Sequence, residues 1–432
     1  MQIQHSSLHG ALRVMPSKSA SHRAVLMAAL CHGESVLSPL QLSNDVQATL
    51  DCMKALGLAQ AQTQPLPGGD GFVRCRVNGG LQPVASKRER VADCGESGST
   101  LRFLMPLALD GCGPVRLVGH GRLMERPLDV YRELFAAQGV AWRDEPGAIV
   151  LDGRLHGGDF SLRGDVSSQF ITGLLLALPR LETDSRIHIT TQLESRAYVE
   201  LTRDMQARFG IQSAWEDAHT LFIPGNQRVK TPGEVEAEGD WSHAAFYLVA
   251  GLIGGGVTLT GLDAHSVQGD RAIVDVLRAM GGEISWQDGA ITAQPSKLHG
   301  TQIDASQIPD LVPILAVAAC AAQGVTRITG AARLRIKESD RLAAMAQELT
   351  RLGAQVEELP DGLIITGGKK LTGTQLQGHN DHRIVMSLCI ASALCDQALT
   401  VTDAHAVSKS APRFFEEFTQ LGGIAHARQL GE

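Results

Sequence analysis

The sequence has no excess of positive charge, and this absence argues against two broad classes of partner. Its 46 Asp and Glu residues outnumber its 39 Lys and Arg residues, which gives a formal net charge of −7 at pH 7 and a pI near 6.1. A field of this sign attracts neither nucleic acid nor an anionic membrane surface. We therefore expect no nucleic-acid partner and no membrane partner, and a local cluster of cations becomes more informative against this background.

The sequence also lacks the marks of a secreted or membrane protein. Its eight cysteines form no CxxC pair and mostly lie in apolar stretches, as buried reduced thiols do. The longest apolar run, LVPILAVAACAAQGV, is too short and too rich in Gly and Ala for a membrane span. The segment MQIQHSSLHG contains no basic region followed by an apolar one, so no signal peptide is visible. We expect a cytoplasmic protein.

What the sequence does contain is an internal repeat. Amphipathic stretches such as MQARFGIQSAW and LTRLGAQVEE end in a glycine and pass into a β-like run, and this happens six times at intervals of 69 to 82 residues. The six glycines are Gly57, Gly139, Gly210, Gly281, Gly353 and Gly422. Because apolar residues lie on only one side of each stretch, the pattern predicts six surface helices, each closed by a glycine in the left-handed conformation.

A second set of six stretches is apolar nearly all round, which predicts helices that are buried on every side. These stretches are SHRAVLMAALCHG, STLRFLMPLALDG, SSQFITGLLLALP, SHAAFYLVAGLIGGG, PDLVPILAVAACAAQG and HRIVMSLCIASALC. Short alternating strands such as GVTLTG and RIHITT follow them. The predicted unit is a buried helix, a strand, a surface helix and a further strand or hairpin, and it occurs six times.

The length of the chain predicts two domains, because 432 residues exceed what one hydrophobic core usually supports. The segment PGNQRVKTPGEVEAEGD is rich in Pro, Gly and charge and falls between the third and fourth repeats, so it is the predicted crossing between domains. We predict an N-terminal domain at residues 16–228 and a C-terminal domain formed by residues 1–15 and 229–432. Each would hold three repeats, with the active site in the cleft between them.

Charged and hydroxyl residues collect at the predicted helix starts. In LRIKESDR, three cations precede a helix whose dipole disfavours them, which makes sense if they share an anion with the free N–H groups of the helix. Such helix starts suit two small polyanions, because Lys, Arg and Ser all donate to phosphate oxygens. The candidates are Lys18, Ser19, Arg23, Glu96, Gly98, Ser99, Arg102, Arg122, Arg126, Ser167, Ser168, Gln169, Ser195, Arg196, Tyr198, Asp310, Lys337, Glu338, Arg341, Asp381, His382, Arg383, Lys409 and Ser410.

Each of these residues also has a purely structural interpretation. Ser167 and Ser168 fit ordinary helix N-caps, and Tyr198 fits packing against an apolar core. Arg102 and Arg126 are as compatible with structural ion pairs as with a ligand. Isolated carboxylates at helix starts, such as Asp310, commonly do no more than complement the helix dipole. The coincidence of so many at equivalent points of a repeat favours a binding site.

Eight motifs, in order along the whole chain, resemble one family closely. They are PSKSASHR, SGSTLRF, GDVSSQF, QGD, IPD, IKESDR, NDHR and VSKSAP. The chain is identified by them as similar to 5-enolpyruvylshikimate-3-phosphate synthases. The resemblance implies the enolpyruvyl transferase fold, a two-domain inside-out α/β barrel of six βαβαββ repeats with three in each domain. It implies no metal ion and no organic cofactor.

The same resemblance implies a reaction and two small-molecule partners, phosphoenolpyruvate and shikimate 3-phosphate, handled by a monomer. The enolpyruvyl group would pass to the 5-hydroxyl of shikimate 3-phosphate with release of phosphate. The implied shikimate 3-phosphate contacts are Lys18, Ser19, Arg23, Ser167, Ser168, Gln169, Ser195, Tyr198, Asp310 and Lys337. The implied phosphoenolpyruvate contacts are Lys18, Gly98, Arg122, Gln169, Arg341, Arg383 and Lys409.

Three residues are expected to carry the chemistry. By resemblance, Asp310 would accept the proton of the 5-hydroxyl, and Glu338 would deliver a proton to the methylene carbon with assistance from Lys18. The chemistry needs both groups, because an enol ether carbon becomes electrophilic only as its neighbour is protonated. Cations packed around the two would lower both carboxyl pKa values, so a neutral Glu338 would require local burial.

Two other functions remain open at this point. The first is carboxyvinyl transfer to a UDP-linked amino sugar, which uses the same fold; against it, Ser19 rather than Asn follows Lys18, and GHGRLMERP contains no Cys. The second is a scaffold that binds phosphorylated metabolites without turnover. Carboxylates placed among the cations count against that scaffold, since they weaken simple anion binding.

Overall fold

The computed structural model describes residues 1–68, 70–83 and 85–427, and its chain forms two compact units. One unit is Pro16–Ala237, and the other combines Met1–Met15 with the chain from Glu238. The first unit ends at residue 237, nine residues beyond the predicted boundary at residue 228. The reason is that Glu234–Val235 pairs in parallel with Val36 and Leu37, which ties residues 229–237 to the first unit.

The Pro16–Ala237 unit contains six helices and three four-stranded sheets. Its helices are α1 Lys18–Leu30, α2 Asn44–Ala55, α3 Gly98–Leu107, α4 Asp129–Ala137, α5 Ser168–Ala177 and α6 Arg196–Arg208. Its strands are β3 Gly33–Leu40, β4 Gln60–Pro65, β5 Val73–Gly79, β6 Arg90–Asp93, β7 Val115–Val118, β8 Ala141–Glu145, β9 Ala148–Asp152, β10 Asp159–Leu162, β11 Ser185–Ile189, β12 Ala214–Trp215, β13 Thr220–Ile223 and β14 Glu234–Val235. The sheet orders are β14-β3-β5-β4, β6-β7-β9-β8 and β10-β11-β13-β12.

The second unit has the same make-up. Its helices are α7 Trp241–Ile253, α8 Ile273–Ala279, α9 Val312–Ala321, α10 Arg341–Arg351, α11 His382–Ala391 and α12 Phe414–Gln420. Its strands are β1 Gln2–Ile3, β2 Gly10–Arg13, β15 Val257–Thr260, β16 Glu283–Gln287, β17 Ala290–Gln294, β18 Gln302–Asp304, β19 Val325–Thr329, β20 Gln355–Leu359, β21 Gly362–Thr366, β22 Gln375–Leu376, β23 Leu399–Val401 and β24 Ala425–His426. The sheet orders are β16-β17-β15-β2, β18-β19-β21-β20 and β22-β23-β1-β24.

All six sheets are built in the same way. Each has one parallel pair at one side, such as β6 with β7 or β18 with β19, and the remaining neighbours are antiparallel. A parallel pair needs a crossover connection, and α3 or α9 supplies it. An antiparallel pair needs only a short turn, as between β8 and β9. The predicted βαβαββ repeat is therefore confirmed.

The buried helices lie where the all-round apolar stretches predicted them. In α5, Phe170, Ile171 and Leu174 are fully buried, and every residue of α11 is buried. Burying one such side chain contributes about 1.5–3 kcal/mol, so each helix adds substantially to the core of its unit. Of the eight cysteines, seven are buried and all are free thiols, as expected.

The surface helices end as predicted. The residue two positions beyond the end of α2, α4, α6, α8, α10 and α12 is a glycine with positive φ. These φ values are 72° at Gly57, 72° at Gly139, 75° at Gly210, 90° at Gly281, 95° at Gly353 and 86° at Gly422. Only glycine adopts this region without strain, so it turns the chain from each helix into the next strand. Within the described residues, no helix combines the length and apolarity that a membrane crossing requires.

Candidate active site

Five charged side chains of the second unit lie around the buried side chain of Arg341, and we refer to these six residues as the Arg341 cluster. The side chain of Arg341 is only 2% exposed and contacts three carboxylates. Its Nη1 lies 2.9 Å from Asp310 Oδ1, its Nη2 2.8 Å from Glu338 Oε2 and its Nε 2.8 Å from Asp381 Oδ2. Lys337 and Arg383 complete the cluster, at 3.8 Å and 3.2 Å from the Asp310 carboxylate. Three cations therefore face three carboxylates.

The members of the cluster come from three helix starts. Asp310 lies in the 3₁₀ turn Pro309–Leu311 that leads into α9, and Asp381 caps α11 by accepting a hydrogen bond from the backbone N–H of Arg383 at 2.9 Å. Arg341 is the first residue of α10. Helices α9, α10 and α11 pack against one another, and this packing brings residues 310, 341 and 381 together.

The segment LRIKESDR divides its charges between two environments. Arg335 faces outward, with Nη1 2.9 Å from Asp340 Oδ2 and 2.7 Å from Glu358 Oε1. Asp340 also accepts from the backbone N–H of Ala343 at 3.1 Å, so it is both the cap of α10 and the partner of Arg335. Lys337, Glu338 and Arg341 face the cluster instead.

The protonation states in the cluster follow from its charges. Burial raises the pKa of Asp310, but Arg383, Lys337 and Arg341 outweigh burial and hold that pKa well below its usual range. Burial lowers the pKa of Lys337 to about 8, although Asp310 opposes this. In Arg341 burial also lowers the pKa, and the carboxylates more than reverse it, so this guanidinium stays charged. Asp310 is thus held ionised, as a proton acceptor must be.

Lys409 lies beside the start of α11. Its side chain is buried, and its Nζ donates a 2.7 Å hydrogen bond to the backbone carbonyl of Asn380, the residue before Asp381. Arg383 in turn donates from Nη1 to the backbone carbonyl of Asp310 at 3.1 Å. The second unit therefore gathers every site residue that the resemblance assigned to it.

In the first unit, Arg23 joins three helices. Its guanidinium donates from Nε to Thr202 Oγ1 at 2.8 Å, from Nη1 to the carbonyl of Ser19 at 2.8 Å and from Nη2 to the carbonyl of Tyr198 at 3.0 Å. A fourth hydrogen bond, at 3.3 Å, goes to Thr172 Oγ1. Arginine has five N–H donors, so within the described chain at most one is left for a ligand. Arg23 therefore fixes the predicted contacts Ser19 and Tyr198 in place.

Gln169 is held from two sides at the start of α5. Its Oε1 accepts from Arg102 Nη1 at 2.7 Å, and its Nε2 donates to Ser99 Oγ at 3.0 Å. Arg102 also donates to the carbonyl of Pro127 at 3.1 Å and lies 5.1 Å above the Phe170 ring. These two hydrogen bonds fix the orientation of the Gln169 side-chain amide, so any ligand at the helix start would meet it in one orientation.

Gly98 begins α3 directly beneath another arginine. A Cβ atom at this position would lie 2.7 Å from Nη1 of Arg126, closer than real Cβ contacts come. Ser97 caps the helix by accepting from the backbone N–H of Thr100 at 3.1 Å. Only a glycine therefore lets the Arg126 guanidinium rest against the backbone at this helix start.

Three other predicted residues of the first unit lie at helix starts, and a fourth is more exposed to solvent. Lys18, at the start of α1, lies 3.0 Å from Asp45 Oδ2. Ser167 caps α5 by accepting from the backbone N–H of Gln169 at 3.3 Å, and Ser195 precedes α6 with a left-handed φ of 54°. Arg122 is more open, since its side chain is 49% exposed and its nearest carboxylate, Glu125, is 3.4 Å away.

Three residues in these arrangements had no assigned role in the sequence. Arg102 and Arg126 were balanced between ligand binding and structure, and the geometry shows that they contact Gln169 and Gly98. Asp45, the partner of Lys18, gave no signal, because an acid in the first turn of a helix is commonplace. Its pairing depends on α1 and α2 packing side by side, which residue types alone do not reveal.

Known proteins resemble this chain over its whole length. The family profile described as EPSP synthase (3-phosphoshikimate 1-carboxyvinyltransferase) matches residues 3–418. The 3-phosphoshikimate 1-carboxyvinyltransferase of Clostridium acetobutylicum is 44% identical over 435 residues, and that of Clostridium kluyveri is 44% identical over 434 residues. Each alignment covers 100% of this chain and 99% of the relative.

A solved structure agrees with these sequence relatives. The EPSP synthase of Acinetobacter baumannii superimposes with a TM-score of 0.79 at 24% identity, over 97% of each chain. This likeness confirms the predicted enolpyruvyl transferase fold of six βαβαββ repeats. With a profile match and two relatives above 40% identity, the chain belongs to the EPSP synthase (3-phosphoshikimate 1-carboxyvinyltransferase) family.

Proposed function

We propose that this protein transfers the enolpyruvyl group of phosphoenolpyruvate to the 5-hydroxyl of shikimate 3-phosphate and releases phosphate. The observation that carries the proposal is the Arg341 cluster, in which a candidate base and a candidate acid contact the same buried guanidinium at 2.9 Å and 2.8 Å. Family membership supplies the identity of the substrates. A structural ion-pair network would also pair these charges, but it would not require Lys337 and Arg383 to be added beside them.

Two sets of residues would bind the substrates. The shikimate 3-phosphate set is Lys18, Ser19, Arg23, Ser167, Ser168, Gln169, Ser195, Tyr198, Asp310 and Lys337. The phosphoenolpyruvate set is Lys18, Gly98, Arg122, Gln169, Arg341, Arg383 and Lys409. The close hydrogen bonds of Arg23 and Arg341 to protein groups make these two chiefly organisers of their neighbours. Lys18, Lys337 and Arg122 are the more open cations.

The reaction would proceed by addition and elimination. Glu338 protonates the methylene carbon of phosphoenolpyruvate, so the adjacent carbon becomes electrophilic and forms a bond to the 5-oxygen, whose proton passes to Asp310. The resulting adduct then loses a proton from its methyl group to the Glu338 carboxylate, and its bond to phosphate breaks as the phosphate takes the proton held by Asp310. This elimination restores the double bond and both carboxyl groups. Lys18 assists as a cation beside the transferring group. No redox change takes place, and no metal or organic cofactor enters these steps.

Substrate binding would also improve Asp310 as a base. In the free protein three cations lower the pKa of Asp310. The lower pKa keeps the carboxylate ionised but makes it a weaker base. Phosphate and carboxylate groups of the substrates would offset the charges of Lys337 and Arg383. We infer that the pKa of Asp310 rises when both substrates are bound, at the point where a stronger base is needed.

We further propose that the protein acts as a cytoplasmic monomer.

A phosphate-release assay tests this function directly. Release of inorganic phosphate should require both phosphoenolpyruvate and shikimate 3-phosphate, and either alone should give none. Substitution of a UDP-linked amino sugar for shikimate 3-phosphate is the matched control. Activity with that acceptor alone would favour the sister enzyme, and tight binding of both substrates without turnover would favour a scaffold.

Replacing Lys337 with alanine should weaken shikimate 3-phosphate binding by about 10-fold to 100-fold near pH 7, since a charged hydrogen bond is worth roughly 1.5–3 kcal/mol. The pKa of Lys337 lies at about 8, so its charge is present below that pH and is lost above it. The dissociation constant of the wild type should therefore rise above about pH 8, whereas that of Lys337→Ala should not. Titration calorimetry over this pH range measures both effects.

Lys370→Ala provides the control for that measurement. Lys370 belongs to the same unit and carries the same charge, but its side chain is 76% exposed and pairs with Asp396. Its removal should leave the dissociation constant within about twofold of the wild type, as for a distant screened charge. An unchanged affinity in Lys337→Ala would remove this lysine from the binding site.

A further inference from the structure

One buried carboxyl group of the second unit has no role in the steps above. Asp270 ends the QGD motif and lies in the 3₁₀ turn Gly269–Ala272. Gln268 fixes this turn against the start of α7, because its Oε1 accepts from the backbone N–H of Trp241 at 3.2 Å and its Nε2 donates to the carbonyl of Gly239 at 2.9 Å. The turn therefore cannot move Asp270 without breaking the start of a buried helix.

Asp270 is buried but only half satisfied. Asp270 is only 3% exposed, and its Oδ2 accepts a short hydrogen bond from Ser242 Oγ. Its Oδ1 is buried without a hydrogen-bond partner, and within residues 1–68, 70–83 and 85–427 no cation forms an ion pair with it. An ionised carboxylate in such a place would be costly, because a buried charge normally requires a paired cation or several donors.

The charges that face Asp270 come from the elements packed around its turn. They are the carboxylate of Asp310, the guanidinium of Arg383 and the carboxylate of Asp240 at the start of α7. Burial, with a further contribution from Asp310, raises the pKa of Asp270 to about 7, although Arg383 and the Ser242 hydroxyl oppose the rise. Near neutral pH, Asp270 is therefore present in both its protonated and its ionised form.

The protonation state of Asp270 changes the balance of charge around the Arg341 cluster. Three cations face three carboxylates when Asp270 is neutral. Ionisation of Asp270 adds a fourth negative charge beside Asp310 and Arg383. An anionic substrate group at Arg383 would then meet one more negative charge than when Asp270 is neutral, which disfavours binding.

We propose that Asp270 is a positioning residue whose neutral carboxyl group keeps the Arg341 cluster able to accept an anionic substrate, and whose ionisation weakens phosphoenolpyruvate binding. Asp270 would act through Arg383 and Asp310 and would not touch the reacting atoms. The inference rests on the proposed function only for the identity of the anion.

Ionisation of Asp270 should make phosphoenolpyruvate binding weaker as the pH rises. Asp270 is protonated below about pH 7 and ionised above it, so the KM for phosphoenolpyruvate should rise by about fivefold or more between pH 6 and pH 8.5 beyond the change due to the substrate's own phosphate. Asp270→Asn is permanently neutral and similar in shape. Its KM should match the low-pH value of the wild type throughout, with kcat little changed.

The control is Asp275→Asn in α8, which removes the same charge from an exposed site five residues away. It should keep the wild-type pH profile. A purely structural role for Asp270 would instead alter kcat and KM together with no change in the pH at which KM rises. An Asp270→Asn profile that follows the wild type would overturn the proposal. Absence of phosphate release in the wild type would overturn the proposed function itself, which is a separate outcome.

A second variant covers the case in which Asp270→Asn folds poorly. The Ser242 hydroxyl hydrogen bond lowers the pKa of Asp270, so Ser242→Ala should move the rise in KM to higher pH. Thermal unfolding gives a readout independent of activity. Because the folded pKa lies above the unfolded value of about 4, the wild type should lose stability from about pH 4 to pH 7, and the neutral variant should lose less. A KM rise at the same pH in Ser242→Ala would contradict the proposal.

Discussion

Asp310→Asn and Glu338→Gln should each lower kcat by about 100-fold or more, with a much smaller change in KM for either substrate. Each change keeps the shape of the side chain but removes its ability to accept or deliver a proton. The Asp310 carboxylate is held ionised by three neighbouring cations, and the amide that replaces it has no comparable basicity. Steady-state phosphate release with both substrates measures the effect.

The matched control for these two variants is Glu358→Gln. Glu358 pairs with Arg335 at 2.7 Å on the outward side of the same motif, and its side chain is 37% exposed. Its substitution should leave kcat within about twofold of the wild type, as for most surface changes. Near-wild-type turnover in both Asp310→Asn and Glu338→Gln would mean that neither residue moves a proton in the rate-limiting steps.

Replacing Arg341 with methionine should destabilise the protein by about 3–5 kcal/mol near neutral pH, which is the typical cost of removing one partner from a buried ion pair. Arg341 is 2% exposed and contacts Asp310, Glu338 and Asp381, so its loss leaves three carboxylates without their shared cation. Methionine fills a similar volume, which limits any cavity. The midpoints of urea and thermal unfolding measure the loss.

The destabilisation should shrink in acid. Arg341 lowers the pKa of Asp381 and, after Arg383 and Lys337, that of Asp310; the resulting stability is present above the unfolded pKa of about 4 and is lost as pH falls below it. Arg335→Met, in the same motif but 29% exposed, should cost no more than about 1 kcal/mol. Equal losses in the two variants, or a loss that grows in acid, would contradict the structural role of Arg341.

Much of the fold could be predicted from the sequence because the same pattern of apolar stretches and glycines occurs six times. The spacing of Gly57, Gly139 and their four counterparts marked the helix ends, and their positive φ values confirm why glycine stands there. The end of the first unit was harder to predict. It depends on two residues, Glu234 and Val235, that pair with β3 some 200 residues earlier, and a two-residue strand has no periodicity to detect.

The site could be predicted less completely than the fold. Motif resemblance found Asp310, Lys337 and Arg341, and the structure brings them together in one unit. It did not assign Arg102 to Gln169 or Asp45 to Lys18, because each contact joins neighbouring helices whose packing fixes the pair. The role of Asp270 depends on a missing hydrogen-bond partner, and a missing partner can be recognised only once the surroundings are in place.

The way in which the second unit closes its last sheet also bears on synthesis at the ribosome. Gln2 and Ile3 lie between β23 and β24, and the amino group of Met1 donates to the carbonyl of Val401 at 2.8 Å. Gln2 and Ile3 therefore have no strand partners until residues 399–426 have been translated. Pro16–Ala237 can fold as a nascent unit long before that. Gly10–Arg13 finds its partner sooner, once Val257–Thr260 has been translated, so it is the sheet holding Gln2 and Ile3 that waits for the far end of the chain.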